Sequence, residues 1–180
     1  GNAAFVQWSV AGVGNFTSRA LSLFMTQDRV ATAVYYPRSS GSAVAFGTGC
    51  RASNGGTPSM VFGGGAPVVG GQHFHQILNG PPLSPAWSVI GGSNTNWSGL
   101  PLPFECTPLG AAGCRIYCSQ DAILSGATDA SGFASVAIRY PPDRTLAGQS
   151  YYTQFLVYDP PANQLDLIMS NYMQVTLGIF

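Results

Sequence analysis

The sequence contains few charged residues and no lysine. Charged residues make up 8% of its 180 residues, whereas a typical globular protein has about 25%. All seven basic residues are arginine, and Glu105 is the one glutamate among seven acidic residues. Because the arginines are scattered and the net charge is zero, we expect no nucleic-acid partner. A surface so poor in charge has little protection against association with other chains.

Long apolar runs are also missing. No stretch approaches the roughly 18 apolar residues that a membrane-spanning helix needs, so we expect no membrane span. The chain starts at Gly1 without an apolar leader segment. A mature, processed N-terminus has this form, and so does a shortened chain.

Few residues favour helices, since lysine and all but one glutamate are missing. By contrast, 23 glycines and 13 prolines predict many turns. Runs of β-branched and aromatic residues lie between these turns at the spacing typical of a sandwich. We therefore predict an all-β fold, an antiparallel β-sandwich of the Ig-like or jelly-roll-like type stapled by disulfides. Its predicted strands are 60–62, 73–78, 87–90, 114–118, 136–140, 151–158 and 173–179, with an edge strand at 100–104.

The N-terminal region contains fewer turn-forming residues than the rest of the chain. Residues 6–10 and 30–36 have strand patterns, and 21–25 fits a strand better than a short helix over 18–28. From Ala45 onward, turns rich in glycine and proline become frequent. We divide the chain into 1–44, a strand-rich extension or the first strands of the sandwich, and 45–180, the β-sandwich module.

The four cysteines favour disulfides and an oxidising compartment, because their spacing contains no CxxC pair typical of zinc sites. Cys114 and Cys118 share one face of a predicted strand. Their Cα atoms would lie about 13 Å apart, too far for a bridge. Two pairings remain: Cys50–Cys114 with Cys106–Cys118, or Cys50–Cys118 with Cys106–Cys114.

No constellation of catalytic residues stands out. There is no GxSxG motif for a serine nucleophile, and Glu105 lacks the carboxylate partner that glycoside hydrolysis needs. His73 and His75 share a strand face but have no third metal ligand nearby in the sequence. We expect no enzymatic activity, no metal and no cofactor. Four aspartates beside Gly, Pro or Ser are expected to cap turns rather than bind calcium: Asp121, Asp129, Asp143 and Asp159.

Several motifs in residues 45–178 consist largely of turn-forming residues. They are Phe46-Gly-Thr-Gly-Cys50, Pro108-Leu-Gly-Ala-Ala-Gly-Cys114, Gln154-Phe-Leu-Val-Tyr-Asp-Pro160 and Ser170-Asn171. In these motifs the chain resembles a β-sandwich module of large secreted proteins of environmental bacteria. That module is usually the C-terminal part of a longer chain and has no assigned activity.

The resemblance implies one disulfide in particular. The cysteines of the Gly-Thr-Gly-Cys and Gly-Cys motifs recur together in the module, which implies a Cys50–Cys114 bridge here. Cys106 and Cys118 are additions to this pattern, and we expect them to form a second bridge. The resemblance also implies a secreted protein, extracellular or on the surface of a bacterium. The first forty-odd residues lie outside it.

We expect a non-enzymatic structural subunit that assembles with copies of itself into an extracellular filament or surface layer. A charge-poor strand without a place in its own sheet can pair with the sheet edge of a neighbour. The candidate arm is 3–13, extended by 21–26, although these strands could equally complete the sandwich of their own chain. The candidate contact residues are Phe5, Val6, Trp8 and Val10.

The alternative function is an extracellular carbohydrate-binding or adhesion module. Trp97 lies in the polar segment 92–99 and is the candidate for stacking on a sugar ring. Most other aromatic residues, Trp87 above all, are expected in the core.

Overall fold

The computed structural model describes residues 3–24, 26–37 and 39–179, which are all-β without an α-helix. Two 3₁₀ turns lie at Thr107–Leu109 and Arg144–Leu146. The first strands are β1 (Ala3–Val10), β2 (Gly14–Phe16), β3 (Ala31–Pro37), β4 (Ser42–Phe46), β5 (Ser59–Gly63), β6 (Gln72–Leu78), β7 (Pro85–Gly91) and β8 (Asn96–Trp97). The others are β9 (Leu100–Pro101), β10 (Phe104–Glu105), β11 (Arg115–Ile116), β12 (Ala122–Ala127), β13 (Ala134–Arg139), β14 (Ser150–Tyr158) and β15 (Leu167–Thr176).

Two larger sheets are built from residues after the first forty. A five-stranded sheet has the order β12-β7-β14-β15-β4, and a three-stranded sheet has the order β13-β6-β5. All of these pairings are antiparallel. The predicted pair at the end of the chain is confirmed: β14 lies between β7 and β15.

Both larger sheets contribute to one hydrophobic core. Met60 and Ile77 of the three-stranded sheet and Phe155, Val157 and Val175 of the five-stranded sheet belong to the same buried cluster. Each is at most 1% exposed. Burying a side chain of this size contributes about 1.5–3 kcal/mol, so this cluster is the main source of stability.

The N-terminal strands form a separate three-stranded sheet with the order β2-β1-β3. The expected strand at 21–25 is not formed over 21–24, nor is the alternative helix, and Met25 lies outside the described residues. The alternation of the sequence persists, because Leu21 and Leu23 are half-buried while Phe24 is exposed. Within the described part of the chain, however, no neighbouring strand pairs with this segment.

The chain leaves the N-terminal sheet after β3 and enters the five-stranded sheet at β4. β4 spans the predicted boundary at 44/45 and pairs with β15, where Val44 lies opposite Gln174. Ser39 forms a β-bridge with Ile179. Residues 42–46 are therefore part of the five-stranded sheet. β12 is a further strand of this sheet that the sequence analysis did not predict.

One disulfide joins Cys50 to Cys114, with Cα atoms 4.8 Å apart, and confirms the first bridge. The expected second bridge is wrong, since Cys106 and Cys118 are buried free thiols. The N–H of Cys106 donates to the carbonyl of Cys114 (2.9 Å), so these two residues lie opposite each other. The predicted strand 114–118 is formed only at Arg115–Ile116, so Cys118 lies beyond the paired strands that place Cys106 beside Cys114.

We expect disulfide mapping to distinguish these two pairs. Unfolded but unreduced protein should react with iodoacetamide at Cys106 and Cys118 only, and peptide mass spectrometry should show Cys50 linked to Cys114. The bridge spans 64 positions, so Cys50→Ala should lower the free energy of unfolding by about 4 kcal/mol. Cys118→Ala is the control, with an expected loss of about 1 kcal/mol. Four unreactive cysteines would contradict this assignment.

Candidate functional site

The edges of the N-terminal sheet are its most distinctive feature. β1 lies in the middle: β3 pairs with it along its length, whereas β2 pairs only with Trp8–Val10, so residues 3–7 have no strand partner on the β2 side within the described chain. The outer edge of β3 has no strand partner within the described residues. β3 is seven residues long and carries no charged side chain, whereas natural edge strands usually carry a charge that prevents pairing with other chains.

The four candidate contact residues all lie on β1. The ring of Phe5 is 5.8 Å from the ring of Trp8 and 5.8 Å from that of Tyr35. Val10 is 3% exposed, and Val6 lies at the register shift between Phe5 and Gln7. The structure therefore does not leave β1 as a free arm. Of the four side chains, that of Phe5 packs across the strand pair against Tyr35 of β3.

The N-terminal sheet buries very little. Among its described side chains, Val10 is the one buried residue. The indole nitrogen of Trp8 is enclosed without a hydrogen-bond partner in the described chain. Small sheets without a hydrophobic face packed against something else are marginally stable. Four large apolar residues in this segment are exposed: Val13 (48%), Phe24 (98%), Val30 (69%) and Tyr35 (53%).

The N-terminal sheet is also separate in its hydrogen bonds. In the described parts of residues 3–37, the backbone bonds connect β1, β2, β3 and the turns between them. Arg29 donates to the carbonyl of Ala11 (3.4 Å) within the same segment. The first bridge to the rest of the chain is Ser39 with Ile179. The sheet thus gains little support from its own chain.

An apolar groove lies on the outer face of the five-stranded sheet. Trp87 (β7), Ile123 (β12), Leu156 (β14) and Leu167 (β15) line a space of about 290 Å³. Trp87 lies opposite Leu156 in the register. Trp87 is half-buried and faces this groove rather than the core between the sheets, contrary to the sequence-based expectation. The prediction of 87–90 as a buried run could not show on which face Trp87 lies.

The candidate sugar-stacking residue is placed differently from its prediction. Trp97 lies in β8, where it pairs with Leu100. It is half-buried and packs against the core cluster, so its ring is not freely exposed. The sequence indicated a polar loop, but it did not show that the β8–β9 hairpin folds back onto the core.

A row of aromatic rings, which was not predicted from the sequence, lies toward the β4 edge of the five-stranded sheet. Tyr172 stacks on Phe46 (5.5 Å between ring centroids) and on Tyr117 (5.1 Å). Tyr152 lies 6.3 Å from Tyr172. Phe46 is 42% exposed and therefore presents the outermost ring. Only the pairing of β4 with β15 brings these residues together.

Hydrogen bonds of one imidazole connect the two larger sheets. His75 of β6 contacts Ser88 Oγ through Nδ1 (2.8 Å) and the Tyr151 hydroxyl through Nε2 (2.9 Å). Thr153 Oγ1 is 3.2 Å from the same Nδ1, and Tyr151 also bonds to the hydroxyl of Tyr140. Ser88, Tyr151 and Thr153 belong to the five-stranded sheet, so these contacts cross the core.

The Ser88–His75 pair is not arranged for catalysis. Both residues are fully buried, so a substrate does not reach the hydroxyl. Their further partners are hydroxyl groups rather than a carboxylate that would orient the imidazole. Burial lowers the pKa of His75 to about 3, with a smaller effect of the nearby His73. The imidazole is therefore neutral and structural at physiological pH.

Two of the four aspartates, Asp129 and Asp143, cap turns, as expected. Asp129 accepts from the N–H groups of Ser131 (2.8 Å) and Phe133 (3.1 Å). Asp143 accepts from the N–H of Thr145 (2.9 Å). The other two accept from an N–H group distant in the sequence, Asp121 from Gly92 and Asp159 from Ser53, and therefore connect separate segments of the chain.

Over the described ranges, no three His, Cys, Asp or Glu side chains cluster as metal ligands would. In the same ranges, no helix is long and apolar enough to cross a membrane. No known protein family, curated protein or solved structure matches this chain. Its function is therefore inferred from its own residues and geometry.

We expect acid to destabilise the protein through His75. An unfolded histidine titrates near pH 6.5, whereas the pKa of His75 in the fold is lowered to about 3. Between these pH values only the unfolded chain binds the proton, so the free energy of unfolding falls by about 1.4 kcal/mol per pH unit on acidification. Above pH 6.5 this contribution is constant.

Urea unfolding at pH 7, 6, 5 and 4 measures this slope. The matched control is His75→Gln, because the carboxylates titrate alike in both proteins. We expect the variant to be less stable at pH 7 but to have the shallower slope. Equal slopes in the two proteins would show that His75 is not held neutral.

Proposed function

We propose that this protein is a secreted, non-enzymatic structural subunit that associates with copies of itself by β-strand pairing into an extracellular filament or surface layer. One observation carries the proposal: the N-terminal sheet has a charge-free edge strand, and this sheet with its connecting turns exposes large apolar residues, yet buries almost nothing within its own chain. A sheet in this state gains stability when a second chain covers it.

We also propose that the two larger sheets pack as a β-sandwich, the module expected at 45–180, which β4 extends back to Ser42, with the preceding residues as its extension. The common core of the two sheets supports this arrangement. The disulfide Cys50–Cys114 supports an oxidising, extracellular location, since cytosolic proteins rarely keep such bridges. The resemblance to modules of secreted bacterial proteins favours the same location at or outside the cell surface.

The strand that pairs between subunits is β3 in this proposal. β1, the first candidate, is paired with β3 along its length and with β2 at Trp8–Val10, which leaves only residues 3–7 open on one side. The outer edge of β3 has no strand partner within the described residues, and Ala31, Thr32 and Tyr35 are exposed on this strand. Phe5 then acts indirectly, because its ring packs against Tyr35 of β3. A copy of the same chain is a suitable partner because the chain carries so few charges that two copies repel each other little.

We expect Thr32→Lys to abolish assembly. A lysine on an edge strand must lose water if a second strand pairs there, so the dissociation constant should rise at least about tenfold, equal to about 1.4 kcal/mol. Light scattering and negative-stain microscopy of the native protein and the variant measure this. Ser22→Lys adds the same charge at an exposed position outside any strand and should assemble normally.

A native protein that stays monomeric at every concentration would overturn the proposed function. Assembly of Thr32→Lys at the native affinity would remove β3 from the contact.

A second candidate function is binding of an extracellular glycan. It is favoured by the aromatic row, in which Phe46 presents an exposed ring stacked on Tyr172. Sugar rings bind to such apolar ring faces, with polar neighbours fixing their orientation.

For this second function we expect Phe46→Ala to lose retention in gels containing soluble polysaccharides without a change in melting temperature. Trp97→Ala is the comparison: because Trp97 packs against the core, its removal should lower the melting temperature. Native migration of the unmodified protein through every polysaccharide would exclude this function.

A further inference from the structure

We infer that the surface receiving β3 is the free edge of β12 on a second copy of the chain, together with the apolar groove beside it. The inference rests on the proposed self-association and identifies both partners of that contact. It makes the interface head-to-tail, because β3 and β12 belong to different sheets of the subunit.

The edge of β12 is open and uncharged. β12 pairs with β7 on one side, and on its other side no strand of the described chain is hydrogen-bonded to it, although β13 of the three-stranded sheet lies near it. Its sequence, Ala-Ile-Leu-Ser-Gly-Ala, contains no charged residue. Ile123 is 55% exposed. Six residues of β12 and seven of β3 match in length, so most backbone groups of both strands would be paired.

Because of the groove, a strand added at this edge would bury an apolar side chain as well as form backbone hydrogen bonds. A strand added beside β12 lies about 4.8 Å from it, and every second side chain points to the face that carries Ile123. An aromatic side chain there reaches across Ile123 toward Trp87, which lines the same groove. Tyr35 of β3 is 53% exposed and is the residue we expect to fill it.

The other sheet edges are less suited to receive a strand. At the edge of β4, Phe46 already stacks on Tyr172 within its own chain. At β5, the N–H of Met60 is already bonded to Asn171 Oδ1 (2.6 Å). β13 carries the charged Arg139 at its end. β12 alone combines an uncharged edge with an unfilled groove among these described edges.

The geometry also determines the kind of assembly. Because β3 and β12 are different surfaces, the contact is heterologous: each added subunit again presents one free β3 and one free β12. Such contacts produce open filaments or closed rings, whereas a two-fold dimer would use the same surface twice. Each contact would join the three-stranded N-terminal sheet of one subunit to the five-stranded sheet of the next.

The first test compares Ile123→Lys with Val44→Lys. Both residues are exposed apolar side chains on outer strands of the five-stranded sheet (55% and 47%), so a lysine at either position reaches water in the folded monomer. We expect Ile123→Lys to raise the dissociation constant for self-association at least about tenfold and Val44→Lys to leave it unchanged. Ser125→Lys, an exposed site on β12, repeats the test, and thermal melts confirm folding.

The second test mixes two variants that do not assemble alone. Thr32→Lys keeps an intact β12, and Ile123→Lys keeps an intact β3. If the contact is head-to-tail between these strands, the mixture forms a one-to-one dimer that does not grow, because its two remaining ends are both blocked. Analytical ultracentrifugation distinguishes this dimer from monomers and from filaments.

The outcomes separate this inference from the proposed function. If Thr32→Lys prevents assembly but Ile123→Lys and Ser125→Lys do not, self-association through β3 stands and β12 is not its acceptor. A mixture that stays monomeric also overturns the β3–β12 pairing. If the unmodified chain never associates, both proposals fail together.

Discussion

The contact on which the two larger sheets depend is the buried imidazole of His75. It joins β6 to β7 and β14 through Ser88 and Tyr151. In a chain with so few charges, neutral groups of this kind replace the ion pairs that other proteins use. The arrangement works because the imidazole remains uncharged, since a buried proton on His75 would lack a carboxylate partner. Hydrophobic burial stabilises the core, and these hydrogen bonds make its alignment specific.

A second buried side chain, Gln154, positions the cysteine-containing loop on the outer face of the five-stranded sheet. Its Oε1 accepts from the N–H of Tyr117 (3.0 Å), and its Nε2 donates to the carbonyls of Arg115 (2.8 Å) and Ser170 (2.8 Å). Together with the disulfide, these bonds cover one part of the outer face. The groove around Trp87 is the part of this face that remains open, and it is there that we place a second subunit.

The N-terminal sheet and this groove each lack a packing partner that the other could provide. The sheet has exposed apolar side chains and a free edge but almost no core. The groove has apolar walls beside another free edge but no side chain to fill it. Neither is costly to expose by itself, because β-rich surfaces tolerate scattered apolar residues. Their occurrence in one nearly charge-free chain is what favours a subunit that polymerises over a monomeric enzyme or carrier.

The sequence by itself determined the all-β class, the strands at the end of the chain, the turn role of Asp129 and Asp143 and, through the resemblance, the Cys50–Cys114 bridge. These features depend on local periodicity, on turn chemistry or on a recurring motif. Tertiary structure alone decided that β1 pairs with β3 along its length instead of forming a free arm, that Cys106 and Cys118 are free thiols, and that Trp87 faces outward while Trp97 faces the core. Such outcomes depend on which strands become neighbours, and pairing between distant segments is set by burial across the whole chain rather than by any local pattern.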